Sequence, residues 1–389
     1  MLKIRFPVYL FIIFSVVLTF LFLLFDAPKF FKQQESERAF GSDNSQPLIV
    51  AAGVEGLQTE TSSSITGSGN FTSALILGID ARNFEIKNGE LINTQPEGQA
   101  GTRNVDTIMQ VVFDHRDNKL FLISIPRDMG VDVREDCFKF AGSINQVYDK
   151  AQRKSCPGGG IGVIERIVTS VTGIQVNYHA VFTLDAFIDV IKTVGIKDSK
   201  GNIGIVVENP RGFSDIYPAS DQSDWESVYF PKGQLFLTPY RALQYARTRQ
   251  YTSDFDRAGR QQLIVESVVK NILDSNTLLD PAKISSLINT YKSKTMISEP
   301  KSLSELLKLL DIARSADLKN ITKLVLGPEF GGHEKYLNKQ PHDRPGGPYY
   351  MVPTAWRECP GNEFCKVQEY IGQIMVNPDL YINSDSEEL

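Results

Sequence analysis

Three apolar runs dominate the first half of this sequence: SALILGID (73–80), TIMQVVFD (107–114) and KLFLISIP (119–126). The second and third runs are apolar at nearly every position and are separated only by the turn-like HRDN. Continuous apolar runs of this length are typical of strands that are buried on both faces of a sheet. The short connection predicts that the second and third strands form a hairpin.

Amphipathic segments alternate with further apolar runs along the rest of the chain. Helices are predicted over 162–173, 184–195, 238–247, 256–273 and 303–314, and strands over 177–183, 202–209, 320–327 and 349–354. This alternation predicts an α/β fold, with a mixed central sheet sandwiched by helices in three α/β/α layers. Loops are expected over 81–105 and 210–230, and at the glycine run GGGIG (158–162).

The N-terminus predicts a membrane anchor. Residues 7–25 contain 19 positions without a charge, which is enough for a helix to cross the hydrocarbon core. Lys3 and Arg5 favour a cytoplasmic tail over 1–6. A cleaved signal peptide is the alternative, but its apolar run would be shorter and a small-x-small cleavage site should follow. We therefore expect a single-pass protein of the cell membrane, with a flexible tether over 26–71 and the main domain outside the cytoplasm.

Four cysteines are present, and they allow three disulfide pairings. The two sequence-local pairs, Cys137 with Cys156 and Cys359 with Cys365, are preferred, and free thiols remain an alternative. A zinc site is disfavoured because the chain has no C-x-x-C and its four histidines are scattered. The second pair lies in a C-terminal extension, 356–389, to which the sequence assigns no role.

Charged residues stand at the ends of the three predicted strands. Asp80 ends the first, Asp106 begins the second, and Arg127 and Asp128 follow the third. If the second strand is antiparallel to the others, these residues share one sheet edge, where α/β proteins bind ligands. Two carboxylates can hold Mg²⁺ or Mn²⁺ beside a phosphate, whose oxygens and water complete the octahedron. The net charge of −5 argues against nucleic acid as the partner.

The segment RTRQYTSDFDRAGRQQ (247–262) concentrates arginine in an otherwise acidic chain. Its arginines are Arg247, Arg249, Arg257 and Arg260. Ser253 or Asp254 can cap the following helix, and Arg257 and Gln261 share one face near its N-terminus. Helix N-termini and arginine forks both favour phosphate oxygens, so a diphosphate site is predicted. The alternative is that Arg247 and Arg260 form ion pairs on a solvated face with the nearby acidic residues Asp254, Asp256 or Glu266.

The other motifs are weaker indications of function. GGGIG lacks the lysine and Ser/Thr of a P-loop, and no G-x-S-x-G indicates a serine hydrolase. Asn145 and Tyr148 either line a site or cap a helix. Trp225 and the aromatic residues of 210–230 are expected to pack in the core or in a loop rather than cover an apolar ligand.

Taken in order, LGIDAR, VDTIM, SIPRD, INQVY and RTRQYTSDFDRAGRQQ resemble the LytR-CpsA-Psr family of bacterial cell-wall proteins. The resemblance covers residues 73–275 and, more loosely, continues to about 355, so 72–355 is expected to be one catalytic domain. One departure concerns the arginine that the family has two residues before its second aspartate. Here that position is Asn104, and Arg103 lies one residue further back.

The resemblance implies a phosphotransferase that moves a glycopolymer from a polyprenyl diphosphate carrier onto peptidoglycan, with the lipid tail in an apolar pocket under the sheet. It implies Asp80 and Asp106 as metal ligands, and these two residues and Arg127 are the predicted catalytic residues. The family pattern does not identify the general base, for which Asp80 is our candidate. The implied phosphate ligands are Arg82, Arg127, Arg247, Arg249, Arg257 and Gln261. A polyprenyl-diphosphate phosphatase, or a scaffold that binds lipid-linked glycan without catalysis, would use many of the same residues.

Overall fold

The three apolar runs form neighbouring strands of a six-stranded sheet in this computed structural model. The structure describes residues 70–79, 84–87, 90–93, 103–218, 225–274 and, with gaps, 282–381. Asp80, Arg82, the proposed tail and anchor, and nearly all of the proposed tether lie outside the described residues. In the ranges that are described, no helix has the length and apolarity needed to cross a membrane.

The strands and helices follow the alternation expected from the sequence. The strands are β1 (Phe71–Ile79), β2 (Phe84–Lys87), β3 (Glu90–Asn93), β4 (Val105–Asp114), β5 (Lys119–Ser124), β6 (Gly130–Glu135), β7 (Phe138–Ser143), β8 (Tyr178–Thr183), β9 (Ile196–Lys197), β10 (Ile203–Asn209), β11 (Phe213–Pro218), β12 (Trp225–Phe230), β13 (Gly233–Leu237), β14 (Thr295–Ile297), β15 (Asp317–Val325), β16 (Leu337–Pro341) and β17 (Tyr349–Pro353). The helices are α1 (Val147–Arg153), α2 (Gly159–Thr172), α3 (Leu184–Val194), α4 (Pro239–Arg247), α5 (Asp254–Asp274) and α6 (Cys365–Val376). In the predicted helix 303–314, the residues that the structure describes (305, 308, 309 and 312) are helical.

The central sheet is mixed, with the strand order β14-β8-β1-β4-β5-β15. Strand β4 is antiparallel to both β1 and β5, whereas β1 pairs with β8 and β5 with β15 in parallel. The predicted hairpin is therefore confirmed. Its geometry places the end of β1, the start of β4 and the end of β5 on one edge of the sheet.

Both faces of this sheet are buried, as the continuous apolar runs predicted. Because side chains alternate along a strand, Leu75 and Leu77 point to one face and Ile76 to the other. The first face packs against α2 and α6, and the second packs against apolar residues that include Val265 of α5 and Leu309. Helices therefore cover both sides of the mixed sheet.

Two predicted loops contain hairpins instead. Within 81–105 the structure has the short pair β2–β3, and within 210–230 it has β11–β12. The second hairpin is stabilised by aromatic packing, since the rings of Phe213 and Phe230 stack with their centroids 5.1 Å apart. Trp225, on the outer face of β12, is 52% exposed, so of the two expected placements the core is excluded.

The prediction of a loop at GGGIG is also wrong, because residues 159–162 form the first turn of α2. Gly158 precedes the helix with φ 73°, in the left-handed region that favours glycine. A Cβ at Gly160 would collide with the carbonyl of Tyr148 in α1. The glycines are therefore needed where α1 and α2 approach closely.

Both sequence-local disulfides are confirmed. Cys137 pairs with Cys156, and Cys359 pairs with Cys365. The first bond ties the β6–β7 hairpin to the turn between α1 and α2. The second closes the loop that leads into α6.

Candidate active site

The shared edge of the sheet brings an arginine and a carboxylate into contact. Arg127, just beyond β5, donates from Nη1 to Oδ1 of Asp106, near the start of β4, at 2.8 Å. Burial lowers the pKa of Arg127, but the carboxylates of Asp106 and Asp254 outweigh burial and raise it above its usual value. The arginine therefore stays charged although only 15% of its side chain is exposed.

The N-terminus of α5 brings two more arginines to this edge. Arg257 is buried, with Nη1 2.8 Å from Oδ1 of Asp254 and Nη2 donating to the backbone oxygen of Asp106 at 3.3 Å. Arg249, from the loop before the helix, lies 3.7 Å from Asp254 and is 43% exposed. The arginine cluster, which we define as Arg127, Arg249 and Arg257, thus comes from three separate segments.

Two buried polar atoms, one on Arg127 of this cluster and one on the neighbouring Asp254, lack a hydrogen-bond partner within the part of the chain that the structure describes. Nε of Arg127 lies 3.7 Å from Asp128 and 3.6 Å from Asp254, too far for a hydrogen bond. Oδ1 of Asp254 lies close to Arg257 but outside hydrogen-bond geometry. An unsatisfied buried donor is costly, and an anion bound at this edge would satisfy it.

Two further predicted phosphate ligands, Arg247 and Gln261, lie beside the cluster. Arg247 donates to the hydroxyl of Tyr217 at 3.0 Å, and Gln261 donates to the backbone oxygen of Ala246 at 3.1 Å. Both side chains line an apolar cavity. They therefore lie where the arginine-bearing segment meets apolar surface.

This cavity is enclosed by one face of the sheet and by helices α3, α4 and α5. The space open to the centres of water-sized molecules is about 170 Å³. Its apolar lining includes Ile76, Met109, Phe187, Val190, Leu243, Ile264 and Val268. An apolar pocket beside a charged sheet edge is suited to a ligand that has an apolar tail and an anionic head.

Arg260 has a structural role that differs from that of its neighbours. It is buried, and it donates to the carbonyl oxygen of Thr248 in the loop that carries Arg249. Burial lowers the pKa of Arg260 to about 10, so it remains charged at neutral pH. Asp215 holds the same loop by accepting from the backbone N–H of Gln250 at 3.1 Å. The alternative of solvated ion pairs is therefore wrong for Arg260.

The candidate residues Arg103, Tyr148 and Asn145 lie outside the arginine cluster. Arg103 donates to Asp149 at 2.7 Å, in contact with α1 rather than with Asp106. Tyr148 is buried in the core, and the side chain of Asn145 accepts from the hydroxyl of Ser143. Neither supplies a cap for α1, whose N-cap residue makes no side-chain hydrogen bond.

Sequence reasoning gave no binding role to two carboxylates that the structure places among the arginines, Asp128 and Asp254. Burial and the nearby carboxylate of Asp254 raise the pKa of Asp128 above its usual value, although Arg127 opposes this shift. The adjacent SIPRD motif was the available signal for Asp128. For Asp254, the helix-cap pattern suggested a different role.

One group of potential metal ligands is compact within the described ranges: Glu135, Cys137 and Cys156. Both cysteines are in a disulfide, so this group is not a metal site. At the sheet edge the carboxylate of Asp106 is 34% exposed. Carboxylate oxygen is the donor that Mg²⁺ prefers, so the chemistry of this edge fits such an ion.

Fold and site together define an α/β protein in which a sheet edge presents arginines and carboxylates beside an apolar cavity, an arrangement suited to an amphiphilic phosphate ester. The chain belongs to the LytR_cpsA_psr family, whose model matches residues 48–340. Five short motifs and their order thus identified the family correctly.

Two curated relatives show how far the similarity extends. The polyisoprenyl-teichoic acid–peptidoglycan teichoic acid transferase TagV of Bacillus subtilis (strain 168) is 27% identical over 261 residues, 67% of this chain and 58% of its own length. The cell wall biosynthesis protein LcpA of Corynebacterium glutamicum is 27% identical over 249 residues, 59% of this chain and 45% of its own length. The aligned part of the chain thus spans less than two thirds of each relative.

Solved structures share the fold. The crystal structure of B. subtilis TagV superposes with a TM-score of 0.53 at 23% identity, covering 78% of this chain and 96% of that one. The crystal structure of protein gbs0355 from Streptococcus agalactiae superposes with a TM-score of 0.55 at 19% identity, covering 78% of this chain and 87% of that one.

Proposed function

We propose that this protein is a membrane-anchored phosphotransferase that moves a glycopolymer from a polyprenyl diphosphate carrier onto peptidoglycan. One observation carries the proposal: three arginines and an unsatisfied buried N–H donor converge at a sheet edge beside an apolar cavity. The head of a lipid diphosphate matches the arginines, and its tail matches the cavity. TagV, one of its relatives, is named as a transferase of teichoic acid to peptidoglycan.

In the proposed reaction, a sugar hydroxyl of peptidoglycan attacks the phosphorus on the glycan side of the diphosphate. A new phosphodiester bond forms, and the bond from that phosphorus to the bridging oxygen breaks. Lipid monophosphate leaves with the bonding electron pair, and the hydroxyl proton passes to a carboxylate, which we assign to Asp80. The arginine cluster holds the phosphate oxygens and neutralises the charge that develops on the leaving group.

Mg²⁺ would be held by Asp80 and Asp106 in this proposal. When bound, the ion would neutralise charge on the diphosphate oxygens. Arg127, paired with Asp106 at 2.8 Å, would orient that carboxylate and present its remaining donors to the substrate. Arg247 and Gln261 would bind the phosphate nearer the tail, since both line the cavity.

The proposed location is the cell membrane, with the N-terminus in the cytoplasm and the main domain outside. Two disulfides support this, because such bonds persist in oxidising compartments and are rare in the cytosol. The uncharged stretch at 7–25 would be the anchor.

The proposal is tested with the full chain in lipid nanodiscs, a polyprenyl diphosphate glycan, Mg²⁺ and peptidoglycan fragments. Mass spectrometry should detect a phosphodiester-linked product. Arg249→Ala should lower kcat/KM roughly 30-fold, since hydrogen bonds to charged groups contribute about 2 kcal/mol. The matched control is Arg134→Ala, because Arg134 is 81% exposed and lies outside the arginine cluster.

Two results would contradict the proposal. Release of lipid phosphate without a linked product would indicate a phosphatase. Tight binding of the lipid diphosphate with no turnover would indicate a binding or scaffold protein.

A further inference from the structure

The carboxylate of Asp254 lies among the three arginines of the cluster. It is 2.8 Å from Arg257, 3.6 Å from Arg127 and 3.7 Å from Arg249. These arginines belong to helix α5, to the segment after β5 and to the loop before α5. The carboxylate of Asp254 is therefore shared by positive charges from three parts of the fold, one of which, Arg127, also pairs with Asp106.

This position is not explained by capping of α5. The hydroxyl of Ser253 accepts from the backbone N–H of Asp256 at 3.0 Å, and the carboxylate of Asp256 accepts from the N–H of Ser253 at 2.7 Å. This reciprocal arrangement satisfies the start of the helix. The side chain of Asp254 is therefore available for another role.

The carboxylate of Asp254 is also incompletely satisfied. Its buried Oδ1 makes no hydrogen bond to any residue that the structure describes, although Arg257 is close by. In the same described ranges, the facing Nε of Arg127 has no hydrogen-bond partner. Charge attraction, rather than a full set of hydrogen bonds, thus holds this carboxylate where it is, and a better acceptor could replace it.

We propose that Asp254 is a place-holding counter-ion: its carboxylate occupies the position of a phosphate oxygen in the unliganded protein and competes with the substrate for the arginine cluster. This inference rests on the proposed function. Asp254 offsets part of the mutual repulsion of the three arginines. Asp106 and Asp128, beside Arg127, offset a further part. With Asp254 in place, the cluster stays assembled, but its affinity for anions is reduced, which favours release of the phosphate product.

Two roles of Asp254 predict opposite results. If Asp254 only supports the arginines mechanically, its loss should weaken anion binding. If it competes with the anion, an isosteric neutral replacement should strengthen binding. The sign of the change in affinity therefore separates the two.

The test uses the full chain in nanodiscs and inorganic pyrophosphate as the probe, with the dissociation constant measured by calorimetry. Asp254→Asn is expected to bind pyrophosphate roughly tenfold more tightly than the wild type, a size typical of removing one adjacent like charge. Turnover in the transfer assay should fall, because product leaves more slowly. The matched control is Asp256→Asn, which removes a charge from the same helical turn but touches no arginine of the cluster.

Two outcomes would overturn the inference, and they are distinguishable. If Asp254→Asn binds pyrophosphate as tightly as the wild type or more weakly, with an unchanged melting temperature, the role proposed for Asp254 is overturned. The anion site itself is not. If Asp254→Asn does not fold, Asp254→Ser is measured in its place, with the same sign expected and the same result decisive. Failure of both wild type and Arg249→Ala to bind pyrophosphate overturns the anion site itself, and the inference with it.

Discussion

At the scale of single residues, Arg127 is the most informative side chain of the site. Its Nη1 is committed to Asp106, while its buried Nε has no partner among the residues the structure describes. An unsatisfied buried donor costs about 1–3 kcal/mol. Such a cost is expected at a functional position, where a ligand supplies the missing acceptor.

Arg127→Lys tests this interpretation. Lysine keeps the charge but loses the planar set of donors. We expect kcat/KM for transfer to fall roughly 30-fold, the effect of losing about 2 kcal/mol of charged hydrogen bonding, with little change in melting temperature. Arg134→Lys, at an exposed site, should change neither quantity. Full activity of Arg127→Lys would contradict a role for the guanidinium donors.

Asp128 allows a prediction about pH. Burial and the carboxylate of Asp254 raise its pKa in the folded protein, so the folded state binds this proton more tightly than the unfolded state. Its contribution to stability is therefore present below the ordinary pKa of aspartate and is lost as the pH rises through the raised value. Asp128→Asn should accordingly melt at a higher temperature than wild type at pH 7.

The difference between Asp128→Asn and wild type should disappear below about pH 4, where aspartate is also protonated in the unfolded chain. Melting curves across this range are the measurement. Asp132→Asn is the control, since its pair with Arg134 is exposed and such pairs contribute little. A lower melting temperature of Asp128→Asn at pH 7 would show that its pairing with Arg127 dominates instead.

Sequence reasoning could name the arginines but not their arrangement. Helical spacing placed Arg257 and Gln261 on one face, yet in the structure Arg257 joins the cluster while Gln261 lies at the cavity. The central position of Asp254 could not be predicted, because it depends on segments far apart in the chain. Local patterns report neighbours in sequence, whereas this site is built from long-range packing.

At the scale of elements, the strands with the strongest apolar character were the easiest to predict. Strands β1, β4 and β5 are buried on both faces, so their runs are continuous. The hairpins β2–β3 and β11–β12 were missed because they lie outside the central sheet. In the second hairpin, the buried residues of β11 and β12 are separated by more exposed ones, and a short alternating segment with turn residues also resembles a loop.

Helix α5 joins the two halves of the site. Its first turn carries Arg257, and its later turns line the cavity with Ile264 and Val268. Val268→Trp should fill part of the cavity. If it displaces two CH₂ groups of a lipid tail, affinity for a long-chain polyprenyl diphosphate should fall roughly tenfold, at about 0.8 kcal/mol per group.

The affinity of Val268→Trp for inorganic pyrophosphate should not change, because the arginine cluster is untouched. Val376→Trp, at a 71% exposed position on α6, is the control. An equal loss of affinity for both ligands would indicate a general disturbance of the site. Unchanged binding of the long-chain lipid would show that its tail lies elsewhere.

The disulfides differ in the length of chain that they close. Cys137 and Cys156 are 19 residues apart, and Cys359 and Cys365 are 6 apart. Loop entropy predicts a loss of about 3 kcal/mol for replacing the first pair by serine and about 2 kcal/mol for the second. Urea unfolding of the two double Cys→Ser variants measures both losses of stability. A larger loss for the shorter loop would contradict the expected order.

At the scale of the whole molecule, the C-terminal segment is part of the main core. The family match ends at residue 340, yet Phe364, Val367, Ile371 and Ile374 are buried in the cluster that covers one face of the sheet. Tyr381 adds a contact by donating its hydroxyl proton to the backbone oxygen of Val325. The sequence assigned no role to this region because its apolar spacing alone does not show what it packs against.

A chain that ends at Thr354 should therefore fail to fold stably. Burial of an apolar side chain contributes about 1.5–3 kcal/mol, so losing four would remove most of a typical stability of about 5–15 kcal/mol. Circular dichroism melting is the measurement. A chain that ends at Tyr381 keeps these contacts and should melt like the wild type, and equal stability of both truncated chains would contradict the assignment.

The sheet edge and the cavity together form the proposed transferase site. The most direct test is to follow the phosphorus on the glycan side of the lipid diphosphate, marked with ¹⁸O in its non-bridging oxygens, by mass spectrometry. We expect the labelled phosphorus in the phosphodiester that links glycan to peptidoglycan, with unlabelled lipid monophosphate released. Label found in free phosphorylated glycan would mean that water is the acceptor, and label retained on the lipid would mean that the reaction occurs at carbon; either result would contradict the account.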